Sequence, residues 1–418
     1  MRAYAALVLL LALTVSASPS ASASDLVLVH AKIYPAPDEQ PVEDGTIVIH
    51  DGHITAVGPG AQTKAPRAGR SETIIDCQGR AVLAGFWNSH VHILTPGLLH
   101  AAETPAAKIS SQLDQMLTRW GFTTVFDIAS VLSNTNNIRH RIESGEVRGP
   151  RILTVGEPFY PKGGTPIYVK GFLEENHIPS AEVESESQAV KRVRQQIRDG
   201  ADGIKIFAGA ITAHGILPMP TDLAKSIIAE AHAAGKPVFA HPSNIEGIEI
   251  SLASGVDILA HTTLQGDEWS PTLVQKLKNS HTALVPTLTL FDVEGRKGNV
   301  PREVIENVWM KHLTQEVRTF SDAGGQILFG TDVGYIDQFD TTEEFTLMGR
   351  AGMSFRQILA SLTTSPASRF GYSKRSGRIA KGMEADIVVL EGDPEKDIIA
   401  FAKVRQVIRG GKVIYPAP

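Results

Sequence analysis

Short apolar runs alternate with amphipathic stretches through the middle of this chain. The runs lie at 123–127, 151–155, 203–207, 238–240, 258–260, 283–286 and 327–330, and the run leading to His90 adds another. Most gaps fit a helix. From Ser185 to Arg198, Ala189, Val190, Val193 and Ile197 fall on one face, and Gly200 is placed to end the helix. Leu223 to Ala234, closed by Gly235, repeats the pattern. Strands alternating with helices across residues 85–374 predict an α/β fold, a (β/α)8 TIM-type barrel, rather than an open doubly wound sheet. No glycine-rich dinucleotide fingerprint or phosphate loop follows any of the runs.

The periodicity changes at both ends. "DLVLVHAKIYP", "GTIVIHDGHITAVGPG" and "ETIIDCQGRAVLAG" are Val/Ile-rich runs cut by Gly, Asp and Pro, as are "GRIAKGMEADIVVLEGDP" and "KVRQVIRGGKVIY". They read as antiparallel strands joined by tight turns. Neither group is large enough for its own core, so residues 25–84 and 375–418 are expected to pair as one small β-sandwich. Ahead of them, Arg2, an apolar run over 3–15 and Ala21-Ser22-Ala23 have the order of a cleavable secretory signal at 1–23. That run is short of the roughly 20 residues a membrane span needs, and no later segment reaches that length. With Cys77 the lone cysteine, no internal disulfide can form, and the expectation is a periplasmic or secreted protein with no membrane span after cleavage.

Composition narrows the partners. The chain has 418 residues, 42% hydrophobic and 20% charged, with a formal net charge of −5. There is no basic run, so nucleic acid is not expected. A small molecule or small peptide is the default partner, and a homo-oligomer stays open.

Candidate chemistry collects at the ends of the runs. In "GFWNSHVHI", strand alternation points His90 and His92 the same way and Val91 the other. In "GIKIF", Ile204 and Ile206 face the outer helices, so Lys205 enters the barrel. "VFAHPSN" ends in His241, "ILAHTT" in His261 and "ILFGTDVG" in Asp332. Each alone has a bland reading as a core histidine, a turn aspartate or a snorkelling lysine. Together they put nitrogen and oxygen ligands at several strand exits, where barrel enzymes keep their active sites. Burying so many polar groups unpaired would be costly, which favours a shared cation.

The order His-x-His, Lys, His, His and Asp, on a barrel with a split β-sandwich, resembles the amidohydrolase superfamily. "GFWNSHVH", "GIKIF", "FAHPS" and "LAHTT" are similar to its imidazolonepropionase-like branch, which includes enzymes cleaving Xaa-Pro dipeptides. The resemblance implies two divalent metal ions bridged by a carbamylated Lys205. His90, His92 and Asp332 would then hold one ion, and His241 and His261 the other. Zinc is the first expectation, although manganese, cobalt or iron suit the same ligands. Two such cations would bring a water's pKa near neutral and polarise a carbonyl, with Asp332 as the catalytic proton carrier.

The resemblance has gaps. Asn88 stands where relatives often have aspartate, and "GEPFYPKGGTP" lacks the histidine that dipeptide-cleaving relatives often place after the third strand. Tyr160, Lys162 and His214 are the candidate substrate contacts in its stead. Trp87, Phe207 and Trp269 lie near strand exits as candidates to line an apolar pocket, although core packing suits Phe207 better. The sequence thus predicts an exported metal-dependent hydrolase of an amide or small-peptide C–N bond. A lactonase or ester hydrolase using the same centre is the alternative. A non-catalytic binding protein on this scaffold is disfavoured because no ligand is missing. A mononuclear deaminase is disfavoured too, because Lys205 would have no role and Glu246 lies too far along.

Overall fold

The computed structural model describes residues 25–60 and 72–416, so the proposed signal at 1–23 lies outside the described residues. Phe86–Val91, Phe122–Asp127 and Arg151–Thr154 form one parallel ladder. Ile204–Phe207, Val238–His241, Ile258–Ala260 and Ala283–Val285 form a second. On one side the Asp202 N–H donates to the Thr154 carbonyl at 2.7 Å and joins the two. On the other, segment 327–333 bridges them: the Leu328 N–H donates to the Leu284 carbonyl at 2.9 Å, and the Ser89 N–H donates to the Phe329 carbonyl at 2.7 Å. Backbone hydrogen bonds therefore run round a ring of parallel segments.

Helices cover the outside for the reasons their sequences give. Glu186–Arg198 starts where the Ser185 side chain accepts the Gln188 N–H, and Gly200 follows it at φ +100°. Thr221–Ala233 buries Leu223, Ile227 and Ile228, each contributing about 2 kcal/mol of transfer free energy, and Gly235 turns the chain at φ +67°. Inside the ring, Trp87, Phe126, Phe239, Val285 and Leu328 share one apolar cluster. Phe370 stacks on Trp87 at 5.8 Å and Tyr372 meets it edge-on at 5.4 Å. Trp87 thus fills the barrel interior at the start of its strand and lines no pocket at the exits.

Strands from both ends of the chain make the β-rich part. Ala81–Ala84 runs parallel to Asp25–Ile33 and antiparallel to Ile387–Leu390, which fuses the two groups into one eight-stranded hydrogen-bonded sheet. Leu28, Ile47, Val82, Ile387 and Ile408 meet in its core. Arg151, at the start of the third barrel strand, ties this sheet to the ring by pairing with Glu384 at 2.8 Å. Among the described residues, no helix is long and apolar enough to cross a membrane.

Candidate metal centre

An irregularity in register between Asn88 and Val91 breaks the alternation of Phe86–Val91, so His90 faces the interior although Trp87 does too. The following turn brings His92 beside it. The His90 and His92 ring centroids are 5.2 Å apart, and His90 lies 4.6 Å from His261. His261 is in turn 4.7 Å from His241. Asp332 enters from the bridging segment, its Oδ1 2.8 Å from His92 Nε2 and 3.1 Å from His90 Nε2. Its Oδ2 is 4.0 Å from His261 Nε2. His261 and Asp332 sit at φ +86° and +62°, left-handed backbone that non-glycine residues rarely adopt. Strain of this kind, on the order of 1–3 kcal/mol per residue, persists only where the surroundings impose it.

Lys205 is buried on the same inward face as Phe207, its Nζ 5.7 Å from the Phe207 centroid. That ring is stacked on His241 with centroids 4.7 Å apart. Burial pulls the Lys205 pKa down to about 7 and outweighs the opposing attraction of Asp332. Burial likewise lowers His90 to about 4 and takes His241 and His261 well below the usual imidazole range. Asp332 is also shifted down, for a different reason: burial opposes its charge, but the His90 and His92 rings hold its carboxyl well below the ordinary value. His90, His241 and His261 are thus neutral imidazoles beside an ionised carboxylate, the protonation state that metal ligation requires. His92 is instead shifted upward: burial opposes its charge, but the Asp332 carboxylate and the Ala129 carbonyl outweigh it.

The unmet valences are the test of fit. His90 Nε2 and Asp332 Oδ1 are buried 3.1 Å apart, yet neither makes a hydrogen bond. Buried polar atoms are nearly always paired, and a cation drawn between them would satisfy both. Ligand atoms of His90, His261 and Asp332 lie within 4.8 Å of one another. Two of the outer nitrogens are engaged, His92 Nδ1 2.8 Å from the Ala129 carbonyl and His261 Nδ1 2.6 Å from Thr287 Oγ1. That arrangement aims the Nε2 lone pairs inward.

Three buried carboxylates that the sequence reading passed over support these loops. Asp127 accepts from Ser130, from Thr154 Oγ1 at 2.8 Å and from the Ile93 N–H beside His92 at 3.3 Å. Glu316 takes the Thr263 N–H at 2.9 Å, just past His261. Glu344 takes the Leu288 and Thr289 N–H groups at 2.9 and 2.8 Å, just past Thr287. Asn88 spans strand and bridge, donating to Thr331 Oγ1 at 2.8 Å and accepting the His90 N–H at 3.2 Å.

The candidate substrate contacts separate. Tyr160 is buried against Phe207, ring centroids 4.8 Å apart. Lys162 is not drawn to the cluster, because its Nζ pairs with Glu184 at 3.2 Å on the surface. His214 is exposed at the turn between Gly209–Thr212 and Gly215–Pro218, a hairpin that carries it outward. Trp269 donates to Thr263 Oγ1 at 2.8 Å and packs on Phe320, away from the ligands.

The amidohydrolase family's sequence profile matches residues 81–414. The chain belongs to that family. Membership makes it a hydrolase of carbon–nitrogen bonds. It is 23% identical to ochratoxinase of Aspergillus niger, over 93% of this chain and 86% of that protein. It is also 23% identical to imidazolonepropionase of Thermoplasma acidophilum, over 90% of this chain and 91% of that one. Among solved structures, a Xaa-Pro dipeptidase with bound methionine aligns at a TM-score of 0.79 and 23% identity, covering 93% and 99% of the two chains. The A. niger ochratoxinase structure aligns at 0.76 and 21% identity, covering 94% and 96%. These likenesses show a shared fold, a TIM-type barrel with a β-rich domain.

Proposed function

We propose that this chain is an exported, binuclear metal-dependent amidohydrolase that cleaves an amide or small-peptide C–N bond. The observation that carries the reading is the cluster of buried His90 Nε2 and Asp332 Oδ1, 3.1 Å apart and without a hydrogen bond, with His92 and His261 beside them. In this reading His90, His92 and Asp332 hold one divalent ion, and His241 and His261 hold the second. Lys205, a buried amine, adds carbon dioxide and loses a proton to become the bridging carbamate. Zinc suits imidazole and carboxylate oxygen together. Bound cations of this kind lower the pKa of a water and polarise a carbonyl.

The chain's own groups do the rest. Asp332, ionised at the strand exit, accepts the proton of the attacking water and returns it to the departing nitrogen. Phe207 and Tyr160 keep bulk water from the His241 side. Export is supported by the order of charge, apolar run and small residues over 1–23.

Metal analysis of the purified protein, together with a hydrolysis panel of dipeptides, N-acyl amino acids and lactones, tests the reading. Two equivalents of transition metal and amide turnover are expected. Protein that retains no transition metal overturns it, and rapid lactone opening without amide turnover moves the assignment to an ester hydrolase. Export is checked separately, by a mature N-terminus at Ser24 in material recovered outside the cytoplasm.

A further inference from the structure

Two aromatic walls flank the ligand cluster. On one side Phe207 lies flat on His241, its plane tilted by 16°, and Tyr160 meets Phe207 edge-on. On the other, Phe291 faces His261 edge-on at 6.4 Å, and Tyr335, just beyond Asp332, packs in the same apolar group as Phe291 and Ile336. Helix Ile167–Glu175 spans the two. Its Val169 packs on the Tyr160–Phe207 side, while Tyr168 meets Tyr335 edge-on at 5.4 Å.

None of this helix's residues is fully buried, and Ile167 and Tyr168 leave 51% and 37% of their surface open. Burial around the Tyr168 hydroxyl, then Tyr160, Tyr335 and the Asp332 carboxylate, hold the phenol well above its ordinary range. A roof with apolar residues left part-covered gains burial when an apolar group enters beneath it. Ring faces and edges on both sides favour a flat π-system over an aliphatic one.

We propose that the substrate carries an aromatic group next to the bond cleaved, held between the Phe207 and Tyr335 walls, and that Tyr168 is a specificity-determining residue for it. This rests on the hydrolase reading above. Hydroxamates separate the two ideas, because the metal-binding head stays constant while the tail changes. Benzohydroxamate and acetohydroxamate are titrated calorimetrically into zinc-loaded enzyme. The aromatic probe is expected to bind about tenfold tighter. Tyr168→Ala should cut that ratio to roughly threefold or less, and Tyr168→Phe should keep it.

The ratio is internal, so a general loss of folded protein changes both affinities alike. Equal affinities in the wild type overturn the aromatic class and leave the metal centre standing. An unchanged ratio in Tyr168→Ala overturns the role of Tyr168. Failure of both probes to bind removes the metal-centre reading of the proposed function, and this inference with it.

Discussion

Thr287 Oγ1 lies 2.6 Å from His261 Nδ1 and donates its own proton to the Pro286 carbonyl at 2.8 Å. A hydroxyl has one proton to give, so the imidazole must be the donor in the first contact. The His261 tautomer is thereby fixed, with Nε2 carrying its lone pair toward Asp332. Thr287 stands at φ +47°, and Glu344 anchors the two amides that follow it.

Thr287→Val keeps the side-chain shape but removes the acceptor. The ring then has no partner for Nδ1–H and loses its orientation. Zinc affinity, measured by competition with a chromophoric chelator, should fall roughly ten- to a hundredfold. The melting temperature of the metal-free protein should move little. An unchanged affinity would show that the ring is held by packing alone.

Asp332 and Lys205 should separate metal binding from turnover. Asn tolerates left-handed backbone, so Asp332→Asn fits at φ +62° and keeps one ligating oxygen while losing the proton acceptor. It should keep more of its metal than of its activity. Lys205→Ala removes the proposed bridge and should lose metal and turnover together, by orders of magnitude, in a folded protein. Equal losses in Asp332→Asn would argue against proton transfer by that residue, and near-normal turnover in Lys205→Ala would end the bridging role.

Glu344 links pH to stability. Burial raises its pKa from 4.5 to about 7, against the pull of the two amides it accepts. A carboxyl that holds its proton more tightly when folded adds stability that is fully present below about pH 4.5 and is lost as pH rises through 7. At about 1.4 kcal/mol per pKa unit, the change across that window is on the order of 3 kcal/mol. Glu344→Gln cannot ionise, so urea midpoints of wild type minus variant should fall between pH 4.5 and 7. A difference that stays flat across the window would mean that Glu344 is charged throughout.

Much of the centre was legible because strand geometry is local. Alternation in "GIKIF" separates Lys205 from Ile204 and Ile206, which lie in the outer core. An apolar run ending in a histidine marks a strand exit wherever it occurs. What escaped is non-local or irregular. Segment 327–333 carries Asp332 yet pairs only through isolated bridges at Ile327 and Val333. Helix Ile167–Glu175 hides behind Pro161, Gly163, Gly164 and Pro166, which read as loop. The hairpin under His214 has no turn signal stronger than Gly215. Glu316 and Glu344 look like solvated helix residues until the fold brings buried backbone amides to them, Thr263 to the first and Leu288 and Thr289 to the second. Phe207 reads as core because nothing in its neighbourhood announces that His241 stacks on it.

Asn88 offers the last test, because relatives often carry aspartate in its place. It is fully buried and connects the His90 backbone to Thr331, the residue before Asp332. Asn88→Asp exchanges the amide donor for a carboxylate beside a second one. Like charges in a buried site repel, and the lost donation leaves Thr331 Oγ1 to find another partner, so the metal-free protein should lose about 1–3 kcal/mol at pH 7. Burial raises the new carboxyl's pKa, so it takes a proton on acidification and the loss should shrink toward pH 5. Saturating zinc should also shrink it, because cations offset the added charge. Denaturant midpoints with and without zinc decide the matter: a variant as stable as wild type at pH 7 without metal would mean that the Asn88–Thr331 contact contributes nothing, and that the Asp332 carboxylate does not feel its neighbour.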